Sequence, residues 1–132
     1  MQVPPGAVDA NHHANNVEYL RWMQQAAQLH YEASGCAAAT LAAGATWVVR
    51  AHRIEYLRPA FAGDQLAVWT WVTRFGQASS LRKYQVRRLP DQAILARAET
   101  DWVFVEVRTG RPCALPQVIK EAFVCLPAGQ EP

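Results

Sequence analysis

Residues 17–33, VEYLRWMQQAAQLHYEA, and residues 46–57, TWVVRAHRIEYL, differ in their hydrophobic period, and this change decides the fold. In the first stretch apolar residues recur at helical spacing from Leu20 and Met23 onward, which predicts a helix with one apolar stripe. The second stretch is rich in Val, Ile, Trp and Tyr, which predicts a long strand. Residues 36–44, which lie between them, fit either a short helical turn or a loop.

Further strands are predicted at residues 66–75, 79–88 and 93–107, separated by short turns rich in Gly, Pro and Asp. A short final helix is predicted at residues 117–123, with Pro116 in its first turn. Strands joined by short turns pair with their neighbours in the antiparallel sense. A single long helix with an apolar stripe must be wrapped by such a sheet to be buried. We therefore expect an α+β domain, with exposed strand edges that dimerisation covers easily.

The composition is that of one folded domain spanning residues 1–132. Hydrophobic residues make up 51% of the chain and charged residues 18%, which is too apolar for a disordered protein. The net charge of +2 is too small for a nucleic-acid-binding tail or a polybasic membrane anchor, so we expect neither nucleic acid nor a membrane as partner. No signal peptide is recognisable, and the three cysteines have no close spacing, which favours free thiols in the cytoplasm.

A polar cluster lies directly ahead of the predicted helix, in residues 8–20, VDANHHANNVEYL. The start of a helix presents unpaired backbone N–H groups and the positive end of its dipole, so it can stabilise an oxyanion. Asp9 lies a few residues upstream and could serve as a general base for water or as a nucleophile toward a carbonyl. These are the parts that acyl transfer needs. The residues alone leave open a structural interpretation, in which Asp9 caps a turn and Asn15 or Asn16 caps the helix.

This cluster resembles the D-x-x-G-H-x-N-N-x-x-Y-L motif of the 4-hydroxybenzoyl-CoA thioesterase-like branch of the hotdog-fold superfamily. Residues 54–60, IEYLRPA, followed by Gly and Asp at 63–64, are similar to the strand and turn that follow in the family. Residues 102–105, WVFV, and 109–112, TGRP, resemble its last strand and the turn after it. The resemblance extends over residues 8–123, and the order and spacing of these motifs together identify the chain as a member of that family.

The resemblance implies a hotdog fold, in which a curved antiparallel sheet wraps around one long central helix. It implies a homodimer or homotetramer with active sites at the subunit interface, no cofactor, and hydrolysis of an acyl-CoA thioester to the free acid and coenzyme A. By position, Asp9 matches the family's catalytic acid, and the backbone N–H of Asn16 falls where the family polarises the thioester carbonyl. His13 and Asn15 match motif positions that shape this site.

Two features depart from the family pattern. His12 stands where the motif has glycine. If that position requires a positive φ, histidine carries a steric cost that glycine lacks, and the loop or the direction of the His12 side chain would differ. The segment before Asp9 is also shorter than the family's first strand. Either difference would weaken catalysis more readily than it would disturb the fold.

Basic residues are concentrated in the second, third and fourth strands, and arginine forks suit the pyrophosphate and 3′-phosphate of coenzyme A. The candidates for this role are Arg58, Arg74, Arg82, Lys83, Arg87, Arg88 and Arg97. A solvated sheet face that blunts the strand edges is the alternative interpretation.

Aromatic residues supply candidates for an acyl-binding pocket. They are Tyr19, Trp22 and Trp47. Trp69, Trp71 and Phe75 share one phase of the second predicted strand, which favours the core or a subunit interface.

Other candidate sites are weaker. His12, His13 and Asp9 converge poorly on one ion, because adjacent residues of an extended segment point in opposite directions, so no metal site is predicted. Ser80 has no base nearby in the sequence, which argues against a serine nucleophile. The remaining titratable candidates favour structural roles: a surface or interface position for His30, a satisfied strand position for His52, and a salt bridge rather than a second catalytic carboxylate for Glu55.

The leading hypothesis is a cytoplasmic acyl-CoA thioesterase. A thioesterase acting on acyl-carrier-protein substrates would keep the chemistry and change the carrier. A catalytically silent hotdog protein that binds an acyl-CoA or a partner is a third hypothesis, which His12 and the short segment before Asp9 favour. A hotdog dehydratase is a weaker fourth, because no second acid–base residue is suitably placed. The sequence identifies neither the acyl group nor the choice between dimer and tetramer.

Overall fold

The computed structural model describes residues 1–126 and 128–132. Its helices and strands, in chain order, are α1 (Asn16–Ser34), α2 (Cys36–Ala42), β1 (Ala45–Tyr56), β2 (Leu66–Phe75), β3 (Ser79–Arg88), β4 (Ile94–Glu106) and α3 (Gln117–Ala122). Single 3-10 turns occur at Pro5–Ala7 and Ala128–Gln130. The predicted helices and strands are confirmed with every end within one residue, and the helical alternative is correct for the segment after α1.

Helix α1 buries one side against the sheet through Tyr19, Trp22, Met23 and Ala27. It ends at Gly35, which adopts a left-handed φ of 77° and donates its N–H to the carbonyl of Glu32. The start of the helix differs from the expectation.

Asn15 occupies the N-cap position, but its side chain makes no capping hydrogen bond. Backbone contacts hold this end instead: the N–H of Asn15 donates to the carbonyl of Ala7, and the N–H of Ala14 donates to the carbonyl of Ala60, both at 2.8 Å. The expected side-chain cap is therefore wrong, because the neighbouring backbone already fixes the entry of the chain into the helix.

The four strands form one antiparallel sheet in the order β1-β4-β3-β2. The two hairpins, β2-β3 and β3-β4, are as predicted. The expectation that all consecutive strands are neighbours is wrong for β1 and β2, since β1 pairs with β4. The connection at residues 57–65 is no tight turn, because it passes under the first turn of α1, where Ala60 is fully buried and held by backbone and side-chain hydrogen bonds.

Around α1 the core forms two clusters. One surrounds the first half of the helix and includes Trp22, Met23, Leu66, Val86 and Leu95. The other lies toward its C-terminal end and includes Cys36, Phe104, Leu115, Ile119 and Phe123. A helix wrapped by an antiparallel sheet is the hotdog architecture, so the predicted fold is confirmed.

One predicted alignment within β2 is wrong. A register shift between Val72 and Arg74 interrupts the alternation, so that Phe75 packs on the helix side while Trp69 is exposed on the outer face. Trp71 is buried on the outer face, where the chain end at residues 128–132 lines the same depression.

The two edges of the sheet differ in whether another segment of the chain covers them. Along β2, residues 1–3 pair with residues 64–66, and the N–H of Leu126 donates to the carbonyl of Val72. On the outer face of the sheet, Oε1 of Glu131 lies 3.1 Å from Nζ of Lys83 in β3. At the other edge no described segment pairs with the outer side of β1, and Val48 and Val49 remain 42% and 39% exposed. Strand β1 is therefore the open edge, available to another chain. Within the described residues, no helix is long and apolar enough to cross a membrane.

Candidate active site

The turn that carries Asp9 is a closed hydrogen-bonded loop between Val8 and Ala14. The N–H of Asp9 donates to the carbonyl of His13 at 2.8 Å, and the N–H of His12 donates to the carbonyl of Asp9 at 3.0 Å. The Asp9 carboxylate also stabilises the turn, because its Oδ1 accepts hydrogen bonds from the N–H groups of Asn11 at 2.8 Å and His13 at 3.2 Å. These contacts fix the direction of an exposed carboxylate, whose Oδ2 accepts no hydrogen bond from the described residues.

His12 has a φ of 64°, which lies in the left-handed region. The family motif has glycine at this position, and the backbone here does adopt a positive φ, as glycine would allow. Histidine is among the residues that tolerate this conformation better than most, but at a cost relative to glycine. The side chain is exposed, so the loop keeps its shape without the imidazole entering the core.

The start of α1 follows this turn directly. The backbone N–H of Asn16 has no hydrogen-bond partner within the described part of the chain, and the residue is exposed. Its carbonyl accepts the hydroxyl of Tyr56 at 3.1 Å, which ties the first helical turn to the end of β1. The result is a free N–H at the positive end of a helix dipole, directly after the turn that holds the Asp9 carboxylate.

Tyr19 supports this end from within. It is 2% exposed, and its hydroxyl oxygen accepts the N–H of Ala60 at 3.1 Å. Its ring packs edge-on against Tyr56 at 5.2 Å, and burial raises the pKa of Tyr19 above its usual value. These contacts give Tyr19 a positioning role, because they join α1 to the connection that follows β1.

His13 lies on the outside of the same region. Its ring meets that of Phe61 edge-to-face at 5.2 Å, and the N–H of Phe61 donates to Oδ2 of Asp64 at 2.9 Å. Arg88 reaches the same loop, 3.9 Å from Asp64, and binds Asp91 at 2.8 Å. The Arg88 hydrogen bonds lower the pKa of Asp91 to about 2. Arg88 is thus already occupied by two carboxylates.

The other basic residues do not form one patch, because alternate side chains of a strand point to opposite faces. Arg58 is exposed near the start of α1 and forms no ion pair with the described residues. Arg74 is exposed at the far end of β2. Lys83 and Arg97 line a depression on the outer face, whereas Arg82 is buried on the inner face beneath α1.

A cavity of about 380 Å³ lies between α1 and the sheet. Its walls are mainly aromatic and aliphatic, and they include Ala27, Trp47, Val72, Phe75, Trp102 and Phe123. Of the aromatic residues expected to line an acyl pocket, Trp47 does so, whereas Tyr19 and Trp22 pack in the first core cluster instead.

Among the described residues that line this cavity, Arg82 is the one that carries a charge, and it forms a hydrogen bond with His30. Its Nη1 donates to Nδ1 of His30 at 2.9 Å and to the hydroxyl of Thr70 at 3.0 Å. His30, for which a surface or interface position was expected, is half-buried and bonded to Arg82. Burial, with the charge of Arg82 second, lowers the pKa of His30 and favours the neutral ring that accepts this bond. The inward phase of Arg82 was readable from its alternation with Ser80 and Tyr84, but its partner on the helix was not.

The two remaining titratable candidates have the structural partners that were expected. Nδ1 of His52 and the hydroxyl of Thr100 share a hydrogen bond of 2.7 Å. Glu55 lies 3.8 Å from Arg53. Within one chain, the Asp9 turn and the cavity lie at different levels of α1, which rises by roughly 12–22 Å from Asn16 to the lining residues between Gln24 and Tyr31.

Comparison with known proteins places the chain in a family. A family model described as thioesterase-like superfamily matches residues 3–123. The chain is similar to the long-chain acyl-CoA thioesterase FadM of Escherichia coli, with 25% identity over 86% of each protein. It is also 30% identical, over 59% of its length, to a chloroplastic acyl-(acyl-carrier-protein) hydrolase of Cuphea viscosissima, of which the match spans only 19%. Among solved structures, the probable thioesterase YbaW of Escherichia coli superposes with a TM-score of 0.85, 24% identity and 92% coverage of both chains.

Proposed function

Because this chain belongs to the thioesterase-like superfamily, whose members include thioester hydrolases, we propose that it hydrolyses an acyl-CoA thioester to the free acid and coenzyme A. One observation carries the proposal: the Asp9 carboxylate is held in an exposed turn immediately ahead of the free N–H of Asn16. The first group supplies an activated oxygen, and the second supplies a hydrogen bond to a developing oxyanion.

In the proposed reaction the thioester carbonyl oxygen accepts the N–H of Asn16, which draws electron density from the carbonyl carbon. Asp9 then takes a proton from water as the water oxygen bonds to that carbon, or Asp9 attacks the carbon itself and water cleaves the resulting anhydride. In both routes the C–S bond breaks and the thiolate of coenzyme A leaves with the electron pair. A thiolate is a good leaving group, so no strong general acid is required.

A homodimer is part of the proposal. Strand β1 is the uncovered edge, and a second β1 added in antiparallel fashion about a two-fold axis would close it. Such pairing sets the start of one β1, where Trp47 lines the cavity, beside the end of the other, where Tyr56 holds Asn16. The Asp9 turn of one protomer would then face the cavity of its partner, which removes the separation along α1 within one chain.

Substrate contacts are assigned from the surroundings of the turn. His13 and Asn15 flank the proposed oxyanion position, and Arg58 is exposed at the same end without an ion pair among the described residues, so it suits a phosphate of coenzyme A. Arg88 is committed to Asp64 and Asp91, and Arg74 lies at the far end of β2, so neither is retained for this role. We place the enzyme in the cytoplasm, with the free thiols of its cysteines in support.

A second candidate is a thioesterase for acyl-carrier-protein substrates, favoured by the similarity to the plant acyl-(acyl-carrier-protein) hydrolase. Activity on an acyl group attached to carrier protein, with none on the same acyl-CoA, would select it. The left-handed His12 is the observation that favours a silent binding protein, and binding without turnover would be its signature.

The test is release of free thiol from a panel of aromatic and aliphatic acyl-CoAs by the wild type and by Asp9→Asn. Asparagine keeps an oxygen that accepts the turn's N–H groups, so the fold is preserved while turnover falls by roughly 100-fold or more. Asp91→Asn is the matched control, since Asp91 also is exposed and caps its own turn by accepting the N–H of Ala93, and it should retain wild-type turnover. Equal turnover in Asp9→Asn and Asp91→Asn would reject the mechanism.

A further inference from the structure

Arg82 is buried without a negative charge to balance it. The residue is 5% exposed. Its Nη1 binds His30 and Thr70, and its Cζ lies 5.7 Å from the ring centre of Phe123, so all three neighbours are neutral. No carboxylate of the described residues approaches it within ion-pair distance.

Such an arrangement is costly in a protein interior. A buried charge is normally paired or fully hydrogen-bonded, and removing its partner destabilises a protein strongly. A guanidinium has five N–H donors, and within the described residues only those on Nη1 have acceptors. The remaining donors are available to a group that enters the cavity.

The cavity around Arg82 combines aromatic and aliphatic walls with uncharged polar side chains, among them Gln24, Gln28 and Thr46. Trp47, Phe75, Trp102 and Phe123 contribute rings, and Arg82 is the one charged residue among the described residues that line it. Ser80 lies two positions earlier on the same face of β3 and also lines the cavity. A volume of about 380 Å³ is within the range of small-molecule pockets.

From this geometry, and resting on the thioesterase function proposed above, we propose that the preferred acyl group ends in a carboxylate. The substrate class is then an ω-carboxyacyl thioester, the half-thioester of a dicarboxylic acid. Its methylene chain would lie against the aromatic walls, and its terminal carboxylate would accept charge-assisted hydrogen bonds from the free donors of Arg82. A plain alkyl end would leave the guanidinium buried and uncompensated.

The experiment compares acyl-CoAs of equal chain length with and without the distal carboxylate: hexanoyl-CoA with adipoyl-CoA, and octanoyl-CoA with suberoyl-CoA. Thiol release gives kcat/KM for each. The wild type should prefer the carboxylate-bearing member of at least one pair by roughly 10- to 100-fold, the value of a hydrogen-bonded charged group. This comparison needs no variant, so it does not depend on a mutant that folds.

Two variants then assign the preference to Arg82. Arg82→Met should remove the preference and improve hydrolysis of the alkanoyl member, a change that a purely structural role would not produce. Arg97→Met is the control, because Arg97 lies on the neighbouring strand, on the outer face, and should retain the preference. Thermal stabilisation of the wild type, and not of Arg82→Met, by octanoate over the uncharged 1-octanol reports the same contact without turnover.

The outcomes separate the two proposals. Hydrolysis of alkanoyl-CoA equal to or faster than that of its carboxylated counterpart in both pairs would overturn the substrate class while leaving the thioesterase in place. A preference that survives in Arg82→Met would overturn the role of Arg82. No hydrolysis of any thioester by the wild type would overturn the proposed function, and the substrate class with it.

Discussion

Two buried tyrosines have opposite hydrogen-bonding states, and the same substitution should therefore affect stability in opposite ways. Tyr19 and Tyr84 are both 2% exposed. The hydroxyl of Tyr19 accepts the N–H of Ala60, which is itself fully buried. The hydroxyl of Tyr84 has no partner among the described residues. Replacing each with phenylalanine removes one oxygen and keeps the ring.

Tyr19→Phe leaves the Ala60 N–H without an acceptor, which costs about 1–3 kcal/mol. Tyr84→Phe removes an unsatisfied hydroxyl, so its free energy of unfolding should be unchanged or higher. At about 4 °C per kcal/mol for a domain of this size, Tyr19→Phe should lower Tm by roughly 4–12 °C.

The assay is urea denaturation and thermal unfolding of the wild type and both variants. All are measured at one fixed protein concentration, because the proposed dimer would make Tm depend on concentration. The m-values should stay constant, so that the midpoints report stability. If Tyr84→Phe loses as much stability as Tyr19→Phe, the assignment of hydrogen-bonding states at these two hydroxyls is refuted.

Two further perturbations test the loop and the turn after β3. His12→Gly should raise the free energy of unfolding by up to about 1 kcal/mol, because glycine adopts a positive φ without strain. His12→Val should lower it by about 1–2 kcal/mol. Equal urea-denaturation midpoints for the two variants would contradict the strain at φ 64°. Hydrogen bonding to Arg88 lowers the pKa of Asp91 from 3.8 to about 2, so the stabilisation from Asp91 is complete above pH 3.8 and is lost as the pH falls through 2. Acid titration should accordingly show a steeper loss of stability in the wild type than in Asp91→Asn, and parallel curves would show that the pair does not contribute.

The helix and strands were predictable because their signals are local. The helical-period stripe that begins at Leu20 and continues through Met23 and Ala27, and the turn residues between strands, each act over a few neighbours. The pairing of β1 with β4 was not predictable in this way, since it joins two strands that β2 and β3 separate along the chain.

The same distinction between local and long-range contacts applies to the candidate site. Asp9, His13 and Asn16 are close in sequence, so their placement around one helix start followed from the motif and the dipole. Arg82 was grouped with the other basic residues by charge alone, although its alternation with Ser80 and Tyr84 in β3 indicated the inner face. Its burial against His30 appears only when β3 and the last turns of α1 are packed together.

In the proposed homodimer, the Asp9 turn of one protomer acts on a thioester whose acyl group lies in the cavity of its partner. Gln28→Trp would fill that cavity from its exposed helix position, and both it and Asp9→Asn should be inactive as homodimers. A purified hybrid of the two variants has one Asp9 turn facing one open cavity, so we expect it to recover roughly half of the wild-type turnover. A hybrid as inactive as its parents would contradict the shared site and place the acyl group and Asp9 within one protomer.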